Sequence, residues 1–295
     1  MDARLPEEIL REVLAHNILV EHDHFFRFHG HIERYHPPAP TRCSDLLLVS
    51  KRWLRVGTPL LYECVKLSTA EHAAAVATLL RAHPHVGQAV RCIRLVRGGA
   101  LGKELALVAQ CVPKLQSIFI SLDIKSKNSF IGLKKSLPLL RPTNLIVEKT
   151  GWRENRKVVE VRSLVHAAIK EQWTSLRSLT VSAWCSPIEQ NEKFINALMQ
   201  SPVEEFVYRG CFPGQWIAKG VLEKILRQSH VKRIICRGLL HEKWTRQALQ
   251  ENGFSDADIQ RFSFVHDSMD DFRISLSPAA EESAITPWII SDEED

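Results

Sequence analysis

Long hydrophobic runs are missing from this sequence. The longest stretch of Leu, Ile and Val is Leu46-Leu47-Leu48-Val49, against about 20 apolar residues needed to cross a bilayer. The N-terminus, Met1-Asp2-Ala3-Arg4-Leu5-Pro6-Glu7-Glu8, has acids where a secretory signal needs apolar residues. The expectation is a chain kept inside the cell, in cytoplasm or nucleus, with no membrane partner. Cysteine offers no framework either. The seven cysteines, at 43, 64, 92, 111, 185, 211 and 236, are odd in number, scattered and without a Cys-x-x-Cys pair. In a reducing compartment they read as small buried thiols. At 295 residues the chain needs no staple. A chain of this length buries roughly 75% of the surface its unfolded form exposes.

Catalytic signatures are equally scarce. There is no Gly-x-Ser-x-Gly, no His-Glu-x-x-His and no Rossmann fingerprint. Gly98-Gly99-Ala100-Leu101-Gly102-Lys103-Glu104 falls between a predicted strand and a predicted helix. Its glycines are one residue too close for a phosphate loop, and Glu104 stands where Ser or Thr would hold Mg²⁺. It reads as a glycine-rich turn. No catalytic residue, cofactor or metal is nominated, and the expectation is a protein that is not an enzyme.

Charge is present but uneven. The chain has 39 Lys and Arg against 34 Asp and Glu. Six of the acids (Glu281, Glu282, Asp292, Glu293, Glu294, Asp295) lie beyond Arg273, the last basic residue, so residues 1–273 carry a net charge of +11. A basic body with an acidic tail suits an acidic partner, intramolecular pairing, or simple solvation of the tail.

The N-terminal residues pattern as short helices. Leu5, Ile9, Leu10, Val13 and Leu14 fall on one half of a helix. Pro6 suits its first position, and Glu7 and Glu8 its first turn. A second helix is expected from a Ser44-Asp45 cap, with Leu46, Val49, Ser50 and Trp53 on one face and Gly57 to Pro59 as its stop. A third follows at Leu60 to Glu63. Three such helices make only a small core and need a partner surface to complete their burial.

These residues carry a resemblance. Leu5-Pro6-Glu7-Glu8-Ile9-Leu10, Leu48-Val49-Ser50-Lys51-Arg52-Trp53 and Pro59-Leu60-Leu61-Tyr62 resemble, in order, the three helices of an F-box. The likeness covers residues 4–67. It implies docking on a Skp-family adaptor and, through it, a cullin-RING ubiquitin ligase. Carried over by position, Leu5, Pro6, Ile9, Leu10, Leu48, Val49, Ser50 and Trp53 would form or support that surface. Residues 17–43 are longer than the usual connection between the first two helices, as in many fungal-type F-box proteins. They hold six of the 13 histidines together with His16, and His22-x-His24 and His29-x-His31 flank Phe25-Phe26-Arg27-Phe28. No Cys completes a zinc framework, and Pro37-Pro38-Ala39-Pro40 marks a loop. The insertion reads as a surface loop without metal.

From residue 90 a strand pattern recurs. Val90-x-x-Ile93-x-Leu95, Leu115-x-x-Ile118-x-Ile120, Leu176-x-x-Leu179-x-Val181, Val203-x-x-Phe206-x-Tyr208 and Val231-x-x-Ile234-x-Cys236 share it, with weaker copies around Leu145 and Phe262. Such alternation reads as half-buried strands. Helical stretches at 103–112, 154–173, 188–199, 217–228 and 243–251 lie between them. The spacing predicts stacked strand–helix units, an α/β solenoid. It is similar to a degenerate leucine-rich-repeat array of the kind found behind many F-boxes. Gly98, Asp123, Trp184, Cys211 and Leu239 stand where such repeats often carry Asn. A closed βα barrel also alternates strand and helix, but the strand ends Gly98, Asp123, Glu148, Trp184, Arg209 and Arg237 form no acid–base set.

The domain expectation is an F-box-like helical domain over 1–67, a linking helix over 68–88, a repeat body over 89–273 and a flexible acidic tail over 274–295. Residues alternating with the buried ones would line a concave face. Arg94, Phe119, Arg209, Arg233, Arg237 and Arg261 are the candidate target contacts, because Arg pairs well with carboxylate or phosphate; solvated charges are the plainer account of them. The expected function is a non-catalytic substrate receptor of a Skp-cullin-F-box ubiquitin ligase, whose partners are an adaptor and an unknown protein substrate. A scaffold independent of any ligase and a basic nucleic-acid-binding repeat protein are the alternatives. Dispersed Lys and Arg and the lack of an aromatic-basic RNA motif weigh against nucleic acid.

Overall fold

The computed structural model describes residues 5–21, 25–26, 43–96, 102–126, 128–149, 154–182, 191–209, 216, 220–237 and 242–265. A helical unit comes first: α1 (Glu7–Ile18), α2 (Cys43–Leu46) and α3 (Lys51–Leu61). Strands and helices then alternate: β1 (Cys64–Leu67), α4 (Ala70–Ala82), α5 (Pro84–Gly87), β2 (Cys92–Leu95), α6 (Glu104–Cys111), β3 (Ser117–Ser121), α7 (Ile131–Ser136) and β4 (Asn144–Glu148). The second half continues with α8 (Arg156–Glu171), β5 (Ser178–Ser182), α9 (Asn191–Met199), β6 (Glu205–Arg209), α10 (Val221–Gln228), β7 (Arg233–Arg237), α11 (Glu242–Glu251), α12 (Asp256–Gln260) and β8 (Phe262–Val265). The eight strands form one parallel sheet whose spatial order follows the chain. The class is α/β, and the arrangement is consistent with a solenoid-like strand–helix repeat. Among the described residues β1 and β8 each pair with one neighbour, so the sheet is open and not a barrel.

Register explains why the period is visible in the sequence. Val65, Ile93, Ile118, Leu145, Leu179, Phe206, Ile234 and Phe262 are successive cross-strand partners. Two residues on, Leu67, Leu95, Ile120, Val147, Val181, Tyr208, Cys236 and Phe264 form a second row. Both rows enter one core with buried residues of the helices, among them Ala77 of α4, Val108 of α6, Val165 of α8, Leu198 of α9 and Ile225 of α10. Side chains alternate across a strand, so these helices cover one face of the sheet and the other carries the residues between the two rows. Each buried aliphatic or aromatic side chain contributes roughly 1.5–3 kcal/mol. The helices are started by local caps. Thr69 accepts the His72 N–H, and Asn155 accepts the Val158 N–H at 3.0 Å while donating to the Ile124 carbonyl at 2.6 Å. The buried Trp173 indole is satisfied by the Leu137 carbonyl at 3.1 Å.

The helical unit has its own smaller core of Leu10, Leu14, Ile18, Leu47 and Leu60. The second helix expected from Ser44 is broken: α2 covers only Cys43–Leu46, residues 47–50 form a turn, and α3 starts after Ser50. Ser50, not Ser44, is the cap, accepting the Trp53 N–H at 3.3 Å. The expected stop at Gly57 to Pro59 does not act. One helix runs from Lys51 to Leu61 with Pro59 inside it, so residues 60–63 form no separate third helix. Gly57 permits this, since it packs against Leu14, Ile18 and Leu47. Cys64–Leu67 is a strand, because Val65 and Leu67 pair with β2 and enter the main core. The stretch expected as a linking helix buries Ala73, Ala77 and Leu80 in that same core. The sheet therefore begins at Cys64, one unit earlier than the strand pattern at residue 90 shows.

Two features of this packing can be tested by substitution. A Cβ on Gly87 would lie far inside contact distance of the Cys111 carbonyl oxygen, a backbone atom that cannot swing aside. Gly87→Ala should separate α5 from the end of α6 and cost about 2 kcal/mol or more in urea unfolding; a loss under about 0.5 kcal/mol would contradict the packing. The second concerns acid. His166, partly buried on α8 against Phe194, is pushed down to about 4 by desolvation, with Arg162 and Lys193 adding repulsion. The unfolded chain takes up that proton near pH 6.5. The contribution of the neutral ring is thus complete above pH 6.5 and lost as the pH falls towards 4, at most about 3 kcal/mol. Stability of His166→Phe, measured by urea unfolding at several pH values, should fall less steeply between pH 6.5 and 4.5 than that of wild type.

Candidate functional site

Two surfaces concentrate the residues singled out from sequence. The first lies on the helical unit. α1 is apolar over more of its circumference than α3 covers. Leu10, Leu14 and Ile18 pack inward, while Leu5, Ile9 and Val13, the adjoining stripe at spacing four, are exposed. Leu48, 80% exposed, and Val49 stand bare in the turn before α3, and Leu54 is exposed on α3 itself. Two arginines of α3 hold the start of α1 beside this turn. Arg52 donates to the Leu5 carbonyl, and Arg55 pairs with Glu7. The small unit thus carries several large apolar side chains outward.

The adaptor residues read from sequence therefore divide. Leu5, Ile9, Leu48 and Val49 are presented outward. Pro6 is exposed as the N-cap of α1, one place before the first helical position expected for it. Leu10 is 2% exposed and belongs to the core. Ser50 is the cap of α3, and Trp53 packs half-buried against the core. Val13 and Leu54 complete the outward set, although the sequence reading does not assign them to docking; the spacing of Val13 four residues after Ile9 carries its signal.

The second surface is the face of the sheet opposite the helices. Its middle row runs Lys66, Arg94, Phe119, Ile146, Thr180, Val207, Ile235 and Ser263. This face is not bare. Phe26, from the stretch expected as a loop, is 2% exposed and lies in a cluster with Cys92, Phe119 and Ile146, with Phe25 and Cys64 beside it. The Phe26 and Phe119 rings stack at 6.4 Å with an 18° interplanar angle. The Arg94 guanidinium lies 4.4 Å over the Phe119 ring and donates to the Phe25 carbonyl at 2.5 Å. Arg209 donates to the Phe26 carbonyl at 3.3 Å. The expectation of a free surface loop therefore fails at residues 25–26. Two adjacent Phe in a polar, histidine-rich stretch are the sequence signal for this contact.

The remaining target candidates fare differently. Arg94, 3% exposed, and Phe119 are covered. Arg233 belongs to a polar ladder at the strand starts. In it Ser178 donates to Glu205 at 3.1 Å, Glu205 lies 3.8 Å from Arg233, and Arg233 donates to Ser263 at 3.2 Å. Arg237 is half-buried, in register with Arg209 and Val265. Arg261 is not on this face. It caps the short α12 and donates to the Leu226 and Val231 carbonyls, tying the end of α10 to β8. Its expected place fails because residue 261 precedes the strand instead of alternating within it. The buried Glu148 and Lys149 at the end of β4 are not target candidates of the sequence reading.

Other sequence candidates yield less. Gly102, Lys103 and Glu104 line a cavity of about 530 Å³ with Thr69, Glu71 and Ile131. Hydrogen bonds from Thr69 and from its own backbone hold the Glu71 carboxyl below its usual range. That keeps a negative charge on the cavity lining. Cys64 and Cys92 are cross-strand partners. The hydrogen bond to Cys92 and burial raise the Cys64 thiol far above its ordinary range, and burial alone pushes Cys236 up to about 12. Such thiols are poor nucleophiles. Among the described residues no group of His, Cys, Asp and Glu is arranged to hold a metal ion, and no helix is long and apolar enough to cross a membrane. The histidines at 22, 24, 29, 31 and 36, the positions Gly98, Trp184, Cys211 and Leu239, and the acidic tail lie outside the described residues. No protein-family model matches the chain, and no curated protein matches it significantly.

Exposure separates the two kinds of residue by experiment. Leu10→Ala should destabilise the helical unit by about 2–4 kcal/mol, whereas Leu48→Ala should change stability by less than about 0.5 kcal/mol. Hydrogen exchange of α1 amides in the two variants reads this directly.

Proposed function

We propose that the chain is a non-catalytic substrate receptor of a Skp-cullin-F-box ubiquitin ligase. The helical unit is the F-box that meets the adaptor, and the sheet with its helices is a leucine-rich-repeat-like body that captures the target. The observation that carries this reading is the uncovered apolar stripe Leu5, Ile9, Val13, Leu48 and Val49. A unit with its own small core leaves outward most of the residues that the F-box resemblance assigns to docking. Such a stripe gains most by burial against a partner helix. No chemistry is assigned to the chain itself. A receptor of this kind acts by holding the target near the ubiquitin-charged enzyme, raising its effective concentration. The reading implies a site of action in the cytoplasm or nucleus.

The alternatives have less support. A ligase-independent scaffold leaves the bare stripe without a named occupant. A nucleic-acid surface needs arginines available to meet phosphate. Arg94 and Arg209 hold main-chain carbonyls of residues 25 and 26, Arg261 those of residues 226 and 231, and Arg233 a carboxylate.

The test uses exposed positions, so that loss of binding is not loss of folding. Full-length Leu48→Asp with Val49→Asp should melt within about 2 °C of wild type and lose co-purification with a Skp-family adaptor by at least about tenfold. A desolvated carboxylate in so small an interface removes several kcal/mol. Equal adaptor recovery from wild type and variant would overturn the assignment.

A further inference from the structure

The face of the sheet opposite the helices already holds a peptide, and the peptide belongs to this chain. The groups that hold Phe25 and Phe26 are of two kinds. Arg94 and Arg209, on strands β2 and β6, donate to two consecutive main-chain carbonyls. The Phe25 N–H donates to the Glu21 carbonyl at 2.9 Å, so the pair stands in a helical turn, and carbonyls at the end of any such turn offer acceptors of this kind. Beneath them Cys92, Phe119 and Ile146 form an apolar floor that receives the Phe26 ring, and Phe25 meets Phe26 edge-on at 4.9 Å and 79°. The main-chain contacts supply affinity without sequence preference, while the stacked ring supplies selectivity. Nothing in these contacts depends on Phe25 and Phe26 being joined to α1.

We propose that this floor, flanked by Arg94 and Arg209, is a binding site for a protein segment that presents two adjacent aromatic residues in a helical turn. Phe25–Phe26 is its tethered occupant, and an incoming partner of the same chemistry displaces it. The proposal rests on reading the sheet as a capture surface and is independent of adaptor docking. It also changes the expected target chemistry. The two guanidiniums grip a neutral backbone, so the segment they select is aromatic in place of acidic. The tether sets the threshold. A segment on the same chain competes at an effective concentration in the millimolar range, so the site stays covered until a partner with further contacts arrives.

The probe is a fluorescent peptide with the sequence of residues 21–27, and its control has Ala in place of both Phe. Anisotropy titrations use the full chain, wild type and Phe25→Ala with Phe26→Ala. The double variant should bind the peptide at least about tenfold more tightly than wild type, and the control peptide at least about tenfold more weakly. Adding Arg94→Met to that variant should cost about tenfold again, the worth of one charged hydrogen bond. Maleimide labelling of Cys92, followed by mass spectrometry, should be faster in the double variant and slowed by the peptide but not by the control. Should the double variant fail to fold, Phe26→Leu keeps an apolar side chain on the floor and should still bind the peptide several-fold more tightly than wild type. Peptide binding that is equal in wild type and variants, or indifferent to its two Phe, would overturn the proposal and make the contact a structural strut. Adaptor recovery from the same proteins keeps the two readings apart. Retained adaptor with no peptide binding removes this inference alone, and peptide binding without adaptor removes the ligase assignment alone.

Discussion

Eight side chains in one row, from Val65 on β1 to Phe262 on β8, hold the architecture together. Each is the cross-strand partner of the next, and each points into the same helix-covered core. A parallel register slipped by one residue would turn the whole row outward, so burial of this row fixes the strands relative to one another. The helices follow from it. They bridge successive strands and cover the face on which the row lies. The face left over, where Arg94, Phe119 and Arg209 stand, is the one that Phe25 and Phe26 meet, because the row has committed the other side to packing.

Much of this is legible in the sequence. The centres 93, 118, 145, 179, 206, 234 and 262 are residues of the ladder itself, and their spacing follows because every unit must return to the same register. The first unit escapes because only Val65 and Leu67 mark its strand, directly after a helix, and local pattern cannot distinguish that from a helix end. The helix start at Ser50 escapes for a related reason. Ser44 and Ser50 are both good caps, and the position of Leu47 in the small core decides between them. Pro59 reads as a stop, yet a helix held on one side by Leu14 and Ile18 at Gly57 tolerates it. The apolar side of α1 is legible as helical period. Which half of it is covered is not, because two adjacent aliphatic positions differ only by the partner each meets: Ile9 is exposed and Leu10 buried.

The contact made by Phe25 and Phe26 shows in the sequence only as an aromatic pair in a polar stretch, which does not say what the pair meets. No periodicity leads to it, and the histidines around it point to a polar surface. It depends on residues 69 and 183 positions away, Arg94 and Arg209. Its existence links the small helical core to the large one by a route other than the direct passage from α3 into β1. The unit proposed to face the adaptor and the sheet proposed to face the target are thereby joined at two points, and a connection of that kind limits how freely the first can swing relative to the second.

The same contact orders events during synthesis. Sheet neighbours are also chain neighbours, so each strand can settle as soon as its own helix has emerged. Phe26 cannot be fully held until Arg209 has left the ribosome, 183 residues later. At about 5–20 residues per second that interval is roughly 10–40 seconds. The Phe26 ring is covered sooner, once its floor of Cys92, Phe119 and Ile146 has emerged, and the Arg209 hydrogen bond to its carbonyl closes the contact last.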